Sequence, residues 1–327
     1  MGTKLLSLGP IEAQSRDGRG PLESDRFGFT GVREVLAKVE KIQGAPTVHV
    51  ELDSRPDSVA LIRAMLTGAV ELLEFGSELV DDLNTAVSEA CNNVVMHAYH
   101  GSSGPLIVHL EACAAGVEVS IRDHGDGIRL AAGSGQRMDS AKDRTGSGLA
   151  VIAALADRAE FFSAPGGGTE VRLAFTRGAV GDRPLLRAVE SEGPEQLPSD
   201  GSEEVLVTLS PMALLPGILG RMVRLLAARA GFSLERFSDT YVLIDQLVAH
   251  ANSNATSSGI SFALCAHESG LELRIGPLHE QPAPAPASHT ALGNAASQLE
   301  RLADDIAIKP IDHSEMLCMV VRDHGQP

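Results

Sequence analysis

No tryptophan occurs in the chain, and only two tyrosines do. Platforms that grip single-stranded nucleic acids stack bases on aromatic rings, so this scarcity disfavours that class. Cations are also in short supply: 27 lysines and arginines stand against 43 acidic side chains, a formal net charge of −16. Affinity for a phosphate backbone needs clustered Lys and Arg, and no nucleic-acid partner is expected. The four cysteines, Cys91, Cys113, Cys265 and Cys318, show no CxxC spacing. Neither a disulfide framework nor a zinc site is suggested, and reduced thiols are expected. No apolar run approaches the roughly 18 residues of a membrane span. Met1-Gly2-Thr3-Lys4-Leu5-Leu6 lacks a signal-peptide core, so the expectation is a cytoplasmic protein with no membrane partner.

A chain of 327 residues is long enough for two domains with full hydrophobic cores. Residues 1–45 read as a polar extension with a short helix from Val32 to Ile42. From Val48 the pattern alternates through Val50 and Leu52, as in a strand, and Asp53-Ser54-Arg55-Pro56 ends it. A helix follows, capped by Asp57 or Ser58, with Val59, Ile62, Leu66, Val70 and Leu73 on one side. Leu79 to Tyr99 reads as a second helix. Leu106–Ala112 and Val117–Asp123 read as a hairpin, Ile128–Arg144 as a mobile loop or lid, and Gly148–Arg158 as a helix. Ala159–Ser163 and Glu170–Phe175 form a last strand pair. The Pro-, Gly- and Glu-rich stretch at 178–203 reads as a linker between a domain at 46–177 and another at 204–323.

Three motifs carry chemistry. In Ser88-Glu89-Ala90-Cys91-Asn92-Asn93, a carboxylate and a carboxamide stand four residues apart, a spacing that brings them together on a helix. The Asn93 carboxamide oxygen suits Mg²⁺, and Glu89 suits a base towards a hydroxyl. Alternatively the pair is a solvated helix face. Asp123-His124-Gly125-Asp126-Gly127 ends an apolar strand, where a carboxylate can accept from the amine of an adenine. It also reads as a tight turn. Gly146 and Gly148 of Thr145-Gly146-Ser147-Gly148-Leu149 precede a helix, whose free N–H groups favour phosphate or simply form an N-terminal turn. His97 and His100 suggest either a metal or a packing role at a helix end.

Taken together, these segments resemble the GHKL ATPase superfamily, which includes gyrase-type ATPases, histidine kinases and the serine kinases that act as anti-sigma factors. The likeness to the last group is the strongest and runs from about Val48 to Phe175. Ser88–Asn93 with His97-Ala98-Tyr99 is similar to its N-box. Arg122–Ile128 is similar to its first glycine box, Arg144–Leu149 to its second, and Gly168-Thr169 to its closing Gly-Thr. The resemblance implies a Bergerat-type α/β sandwich, a mixed sheet with helices over one face, that binds ATP with Mg²⁺. It also implies that Asn93 ligates Mg²⁺, Glu89 acts as base towards a substrate serine, and Asp123 and Thr169 hold adenine. Gly125, Gly127, Gly146 and Gly148 would shape the phosphate pocket, and Arg144 would touch phosphate. The implied function is an ATP-dependent serine/threonine kinase acting on a STAS-type antagonist, with a sigma factor as a possible second partner. The same motifs also suit an ATP-responsive binding module without phosphoryl transfer.

The second half repeats the first. Val48, Val50, Leu52, Met65 and Phe75 recur 157 residues later as Val205, Val207, Leu209, Met222 and Phe232. Leu106–Ile121 lies against Ile260–Ile275 at an offset of 154. Carrying that offset back through the helix sets Leu243 and Leu247 against Glu89 and Asn93, and carrying it forward sets Pro277 against Asp123. At an offset of 147, Met316 falls against Thr169. The expectation is a tandem, degenerate second domain that binds no nucleotide and forms an intramolecular pseudo-dimer, or else a chain that forms a homodimer.

Overall fold

The computed structural model describes residues 45–73, 75–113, 115–126, 147–163, 167–176, 204–268, 270–279, 299–311 and 313–324. The proposed N-terminal helix, the 128–144 loop and the linker lie outside these residues. Strand β1 (Thr47–Asp53) leads into α1 (Pro56–Leu72) and α2 (Ser77–Asn93), and α2 continues as a π-helical turn over Val94–Ala98. Then come β2 (Pro105–Cys113), β3 (Gly116–Asp123), α3 (Ser147–Leu155), β4 (Arg158–Ser163) and β5 (Thr169–Thr176). The second half contains β6 (Glu204–Ser210), a 3₁₀ turn (Met212–Leu214), α4 (Leu215–Arg229) and α5 (Leu234–Asn254). It ends with β7 (Ile260–His267), β8 (Gly270–Leu278), helical residues 299–302, β9 (Asp305–Ile311) and β10 (Ser314–Arg322).

The ten strands of the described residues belong to one sheet, in the order β4-β5-β3-β2-β1-β6-β7-β8-β10-β9. Outward from the centre, both halves follow the same sequence of strands. The expected mixed sheet is corrected here: every neighbouring pair is antiparallel. The connections explain why. Two helices between β1 and β2 return the chain in the opposite direction, and β2–β3 is a hairpin. A single helix joins β3 to β4, so these two run the same way, but β5 lies between them.

Alternation along β1 buries Val48, Val50 and Leu52 in a core shared with Ile62, Met65 and Leu66 of α1 and Leu83, Val87 and Ala90 of α2. The start of α1 differs from the expected cap. Arg55 is the N-cap but its side chain does not cap the helix, Pro56 opens the helix, and the Ser58 hydroxyl donates to the Asp53 carbonyl at 2.5 Å. Helix α3 begins at Ser147 and stops at Leu155, three residues before the expected end.

The seam between the halves is the β1–β6 pair, in which Val50 faces Val207 and Val48 faces Leu209. Above it, α1 and α4 meet at glycines. A Cβ on Gly68 would lie 2.6 Å from the Gly217 carbonyl oxygen, and one on Gly217 would lie 2.9 Å from that of Gly68. An ion pair between Arg221 and Glu71 and a bond from Arg229 to the Asp57 carbonyl close the same contact.

The burial pattern also corrects the alignment of the halves. In α2 the buried residues are Leu83, Ala86, Val87, Ala90 and Cys91, and in α5, besides Ala251, they are Thr240, Leu243, Ile244, Leu247 and Val248. Each is displaced by 157, so the offset of 154 begins only in the loop after the helix. Gln246 and His250 therefore stand where Glu89 and Asn93 do, while Leu243 and Leu247 are core residues in the places of Ala86 and Ala90. Strand pairing likewise moves the counterpart of Thr169 from Met316 to Glu315, since Thr169 faces Ser163 and Glu315 faces Pro310.

Gly68→Val tests the seam. Forcing a branched side chain against the α4 backbone should lower the stability by about 1–3 kcal/mol, even though it removes a helix glycine. Urea unfolding monitored by circular dichroism reads this, and an unchanged midpoint would contradict the close helix contact.

Candidate functional site

Asp123 is the last residue of β3, and its side chain is buried, with 2% of the residue exposed. Its carboxylate accepts from the Gly125 N–H at 2.9 Å and from the backbone and hydroxyl of Thr169 on β5. The strand register explains this meeting, because β5 runs beside β3 with Glu170 opposite Arg122. Burial raises the Asp123 carboxyl above its usual 3.8, and these hydrogen bonds offset part of the rise.

The loop after Asp123 is held by close backbone packing. A Cβ on Gly125 would lie 2.1 Å from the Ala98 carbonyl oxygen, and one on Gly168 would lie 2.3 Å from that of Asp123. Gly168 has φ +90°, which a side chain rarely adopts. The Asp126 N–H donates to the Ala98 carbonyl at 3.2 Å. Ala98 ends the π-turn, a local widening of the helix frequently found at functional sites.

Glu89 and Asn93 lie one turn apart on α2, both half-buried, and the first turn of α3 sits on them. A Cβ on Gly148 would lie 3.0 Å from Glu89 Oε2 and 3.5 Å from Asn93 Oδ1. Any larger residue at 148 would press on both polar groups. Of the residues named from the sequence, Glu89, Asn93 and Gly148 form one cluster, and Asp123, Gly125 and Thr169 form another. The π-turn that follows Asn93 runs from the first cluster to Ala98, against which Gly125 packs. Gly127, Arg144 and Gly146 lie outside the described residues.

Sequence reasoning quoted Tyr99 but gave it no role. Its hydroxyl donates to the Pro105 carbonyl at 2.6 Å and accepts from the His124 N–H at 2.8 Å. The phenol thus ties the end of the N-box helix to the loop after Asp123, and burial pushes its pKa up to about 12. The signal was one of only two tyrosines in an aromatic-poor chain, six residues before the strand it bonds. His100 pairs with Asp126 at 2.8 Å and His97 is exposed. Among the described residues no three metal-ligating groups cluster. A cavity of about 550 Å³ opens elsewhere, at the seam between Asp53, Arg55, Arg229 and Glu204, and none of the candidate nucleotide-site residues lines it.

Residues 52–175 match the family model of the histidine kinase-like ATPase domain. The chain is similar to the serine-protein kinase RsbW of Bacillus pumilus, with 39% identity over 57 residues, 17% of this chain and 35% of the relative. RsbW of Bacillus subtilis is 31% identical over 83 residues, 25% of this chain and 52% of the relative. The chain thus spans about a third to a half of the length of these curated relatives. Among solved structures, the RsbU and RsbW domains of Rv1364c from Mycobacterium tuberculosis are 26% identical, with a TM-score of 0.31, over 41% of this chain and 34% of that one. Residues 52–175 therefore match a histidine kinase-like ATPase domain, and this half of the chain resembles RsbW serine-protein kinases.

The burial of Asp123 gives a pH signature. A carboxyl raised on folding favours the folded state fully below 3.8, and that contribution is lost as the pH climbs through its higher folded value. Asp123→Asn has no such dependence. Urea melts across acidic to neutral pH should show the stability difference moving in favour of the variant as pH rises. A difference independent of pH would contradict a raised Asp123.

Proposed function

From a histidine kinase-like ATPase domain at 52–175, we propose that the chain is an ATP-dependent regulatory serine/threonine kinase acting on a STAS-type antagonist in a partner-switching system. The observation that carries this reading is the seating of Gly148 against Glu89 and Asn93, joined through the π-turn to the loop after a buried Asp123 bonded to Thr169. The residues fit a magnesium nucleotide. Asp123 is a buried acceptor of the kind an exocyclic amine requires, and the bare Cα of Gly148 leaves room for a close approach to the two polar side chains.

Asp123 and Thr169 would hold the adenine, Asn93 the Mg²⁺, and Gly125, Gly127, Gly146, Gly148 and Arg144 the phosphates. Bound ATP would supply the phosphoryl group, its charge offset by Mg²⁺. Glu89, one helical turn from Asn93, orients the substrate hydroxyl and takes its proton. The half-buried setting of Glu89 under the first turn of α3 limits competition from water.

The second half is a degenerate copy that binds no nucleotide, and together the halves act as an intramolecular pseudo-dimer. The repeated strand order, the shared burial spacing of α2 and α5, and the pairing of Val50 with its own counterpart Val207 support this reading. Gln246, His250, Pro277 and Glu315 stand in the places of Glu89, Asn93, Asp123 and Thr169, so the base and the adenine acceptor are both missing. On the outer side of the seam, Arg63, Arg221 and Arg224 line a groove between α1 and α4. In a chain of net charge −16 this basic groove suits an acidic segment of a protein partner, such as a sigma factor.

Transfer of labelled phosphate from ATP to STAS-type proteins, with ATP affinity from calorimetry, tests the assignment. Glu89→Gln should lower transfer by roughly 10²–10⁴-fold with little change in affinity. Asp123→Asn should weaken ATP binding about ten- to hundredfold. ATP binding without transfer by the parent protein would favour the nucleotide-gated binding module, and transfer that survives both substitutions would remove Glu89 and Asp123 from the mechanism.

A further inference from the structure

The outer face of α5 differs in character from the matching face of α2. On α2 that face carries Ser77, Val80, Asn84 and Thr85, with Asn84 Nδ2 donating to Thr67 Oγ1 at 3.3 Å. The counterparts 157 residues later are Leu234, Phe237, Tyr241 and Val242. The Asn84–Thr67 pair becomes Tyr241 with Arg224, whose guanidinium lies 5.0 Å from the ring centroid. Phe237 meets Tyr241 edge-on, with centroids 6.0 Å apart. Leu234 is 87% exposed, Tyr241 49% and Val242 47%.

Contiguous exposed apolar residues on one helix face mark an interaction site more often than chance. The spacing i, i+3, i+7, i+8 forms a ridge that a second helix can pack against. Exposed Glu235 and Asp245 flank the ridge, and the whole chain is acidic. A second copy of the chain would set these carboxylates against one another, whereas a basic partner would satisfy them.

We propose that this face of α5 docks an amphipathic helix of a partner protein whose apolar stripe is flanked by lysines or arginines. The site is distinct from the nucleotide cluster on α2 and adjoins the arginine-lined groove between α1 and α4, with which it shares Arg224. It does not depend on the kinase reading.

The chain supplies its own reporter, because it has no tryptophan and its other tyrosine, Tyr99, is tied into the first half. The full-length protein is titrated with a synthetic helix of about 18 leucines and lysines, long enough for roughly five turns, and with its leucine/glutamate counterpart. Saturable change in tyrosine emission with the basic peptide alone is expected. Leu234→Ser/Val242→Ser, which keeps Tyr241, should weaken binding roughly tenfold or more. Glu235→Gln/Asp245→Asn, a purely surface change, should weaken it as well. Equal binding of both peptides, or affinities unchanged in both variants, would overturn the proposal. So would light scattering that finds a dimer in the parent and a monomer in Leu234→Ser/Val242→Ser, since a second copy would then be the occupant.

Discussion

The pairing of β1 with β6 is the constraint on which the rest of the molecule depends. Each is the innermost strand of its half, and either would otherwise expose a row of unpaired N–H and C=O groups. Facing each other from Thr47–Ser210 to Glu51–Leu206, they remove both edges at once. The pairing also sets α1 beside α4, and only glycine at 68 and 217 lets their backbones approach so closely. The candidate site lies away from this seam, on α2, β3, β5 and α3. The seam is therefore structural, and its outer groove stays open for contacts that need not compete with a nucleotide.

The candidate site is a place where local stability is given up. A carboxylate is buried at Asp123, glycines at 125 and 168 press backbone against backbone, and the helix that carries Glu89 and Asn93 ends in a π-turn. The second half shows the relaxed alternative. There α5 stays α-helical to Asn254, Pro277 replaces the carboxylate, and an isolated bridge between Ala255 and Leu278 ties the helix end to the sheet. Both halves make the same sheet from the same order of strands, so the irregular features of the first are not needed to build it.

Much of this was legible in the sequence, for a physical reason. Alternation in Val48, Val50 and Leu52 and helical spacing in Val59, Ile62 and Leu66 are direct imprints of burial on one face. The residues that meet across the site, Asp123 with Thr169 and Gly148 with Glu89, stand in motifs that the sequence shows directly. What could not be read was register. A slip of three residues is nearly a full helical turn, so the apolar stripe of α5 looks in phase at an offset of either 154 or 157. Only burial separates them, and it places Gln246 and His250, not two leucines, opposite the polar pair. Strand direction was equally hidden, because it depends on which strands become neighbours, and β5 slips between β3 and β4. The contact made by Tyr99 was hidden too, since a hydroxyl carries no periodicity.

The differences between the halves sort by the surface on which they fall. Facing the sheet, α2 and α5 bury residues at the same five positions, and the innermost strands keep valine at 50 and 207. Facing the candidate site, a carboxylate, a carboxamide, a carboxylate and a hydroxyl become Gln246, His250, Pro277 and Glu315. Facing solvent, Asn84 and Thr67 give way to Tyr241 and Arg224, and Ser77 gives way to Leu234. A solvent-facing position gains nothing from a Leu or Tyr left in water. The change instead runs towards residues that contribute only when covered. One half thus keeps polar groups inside a cleft while the other places apolar groups outside, and the shared sheet holds the two in fixed relation.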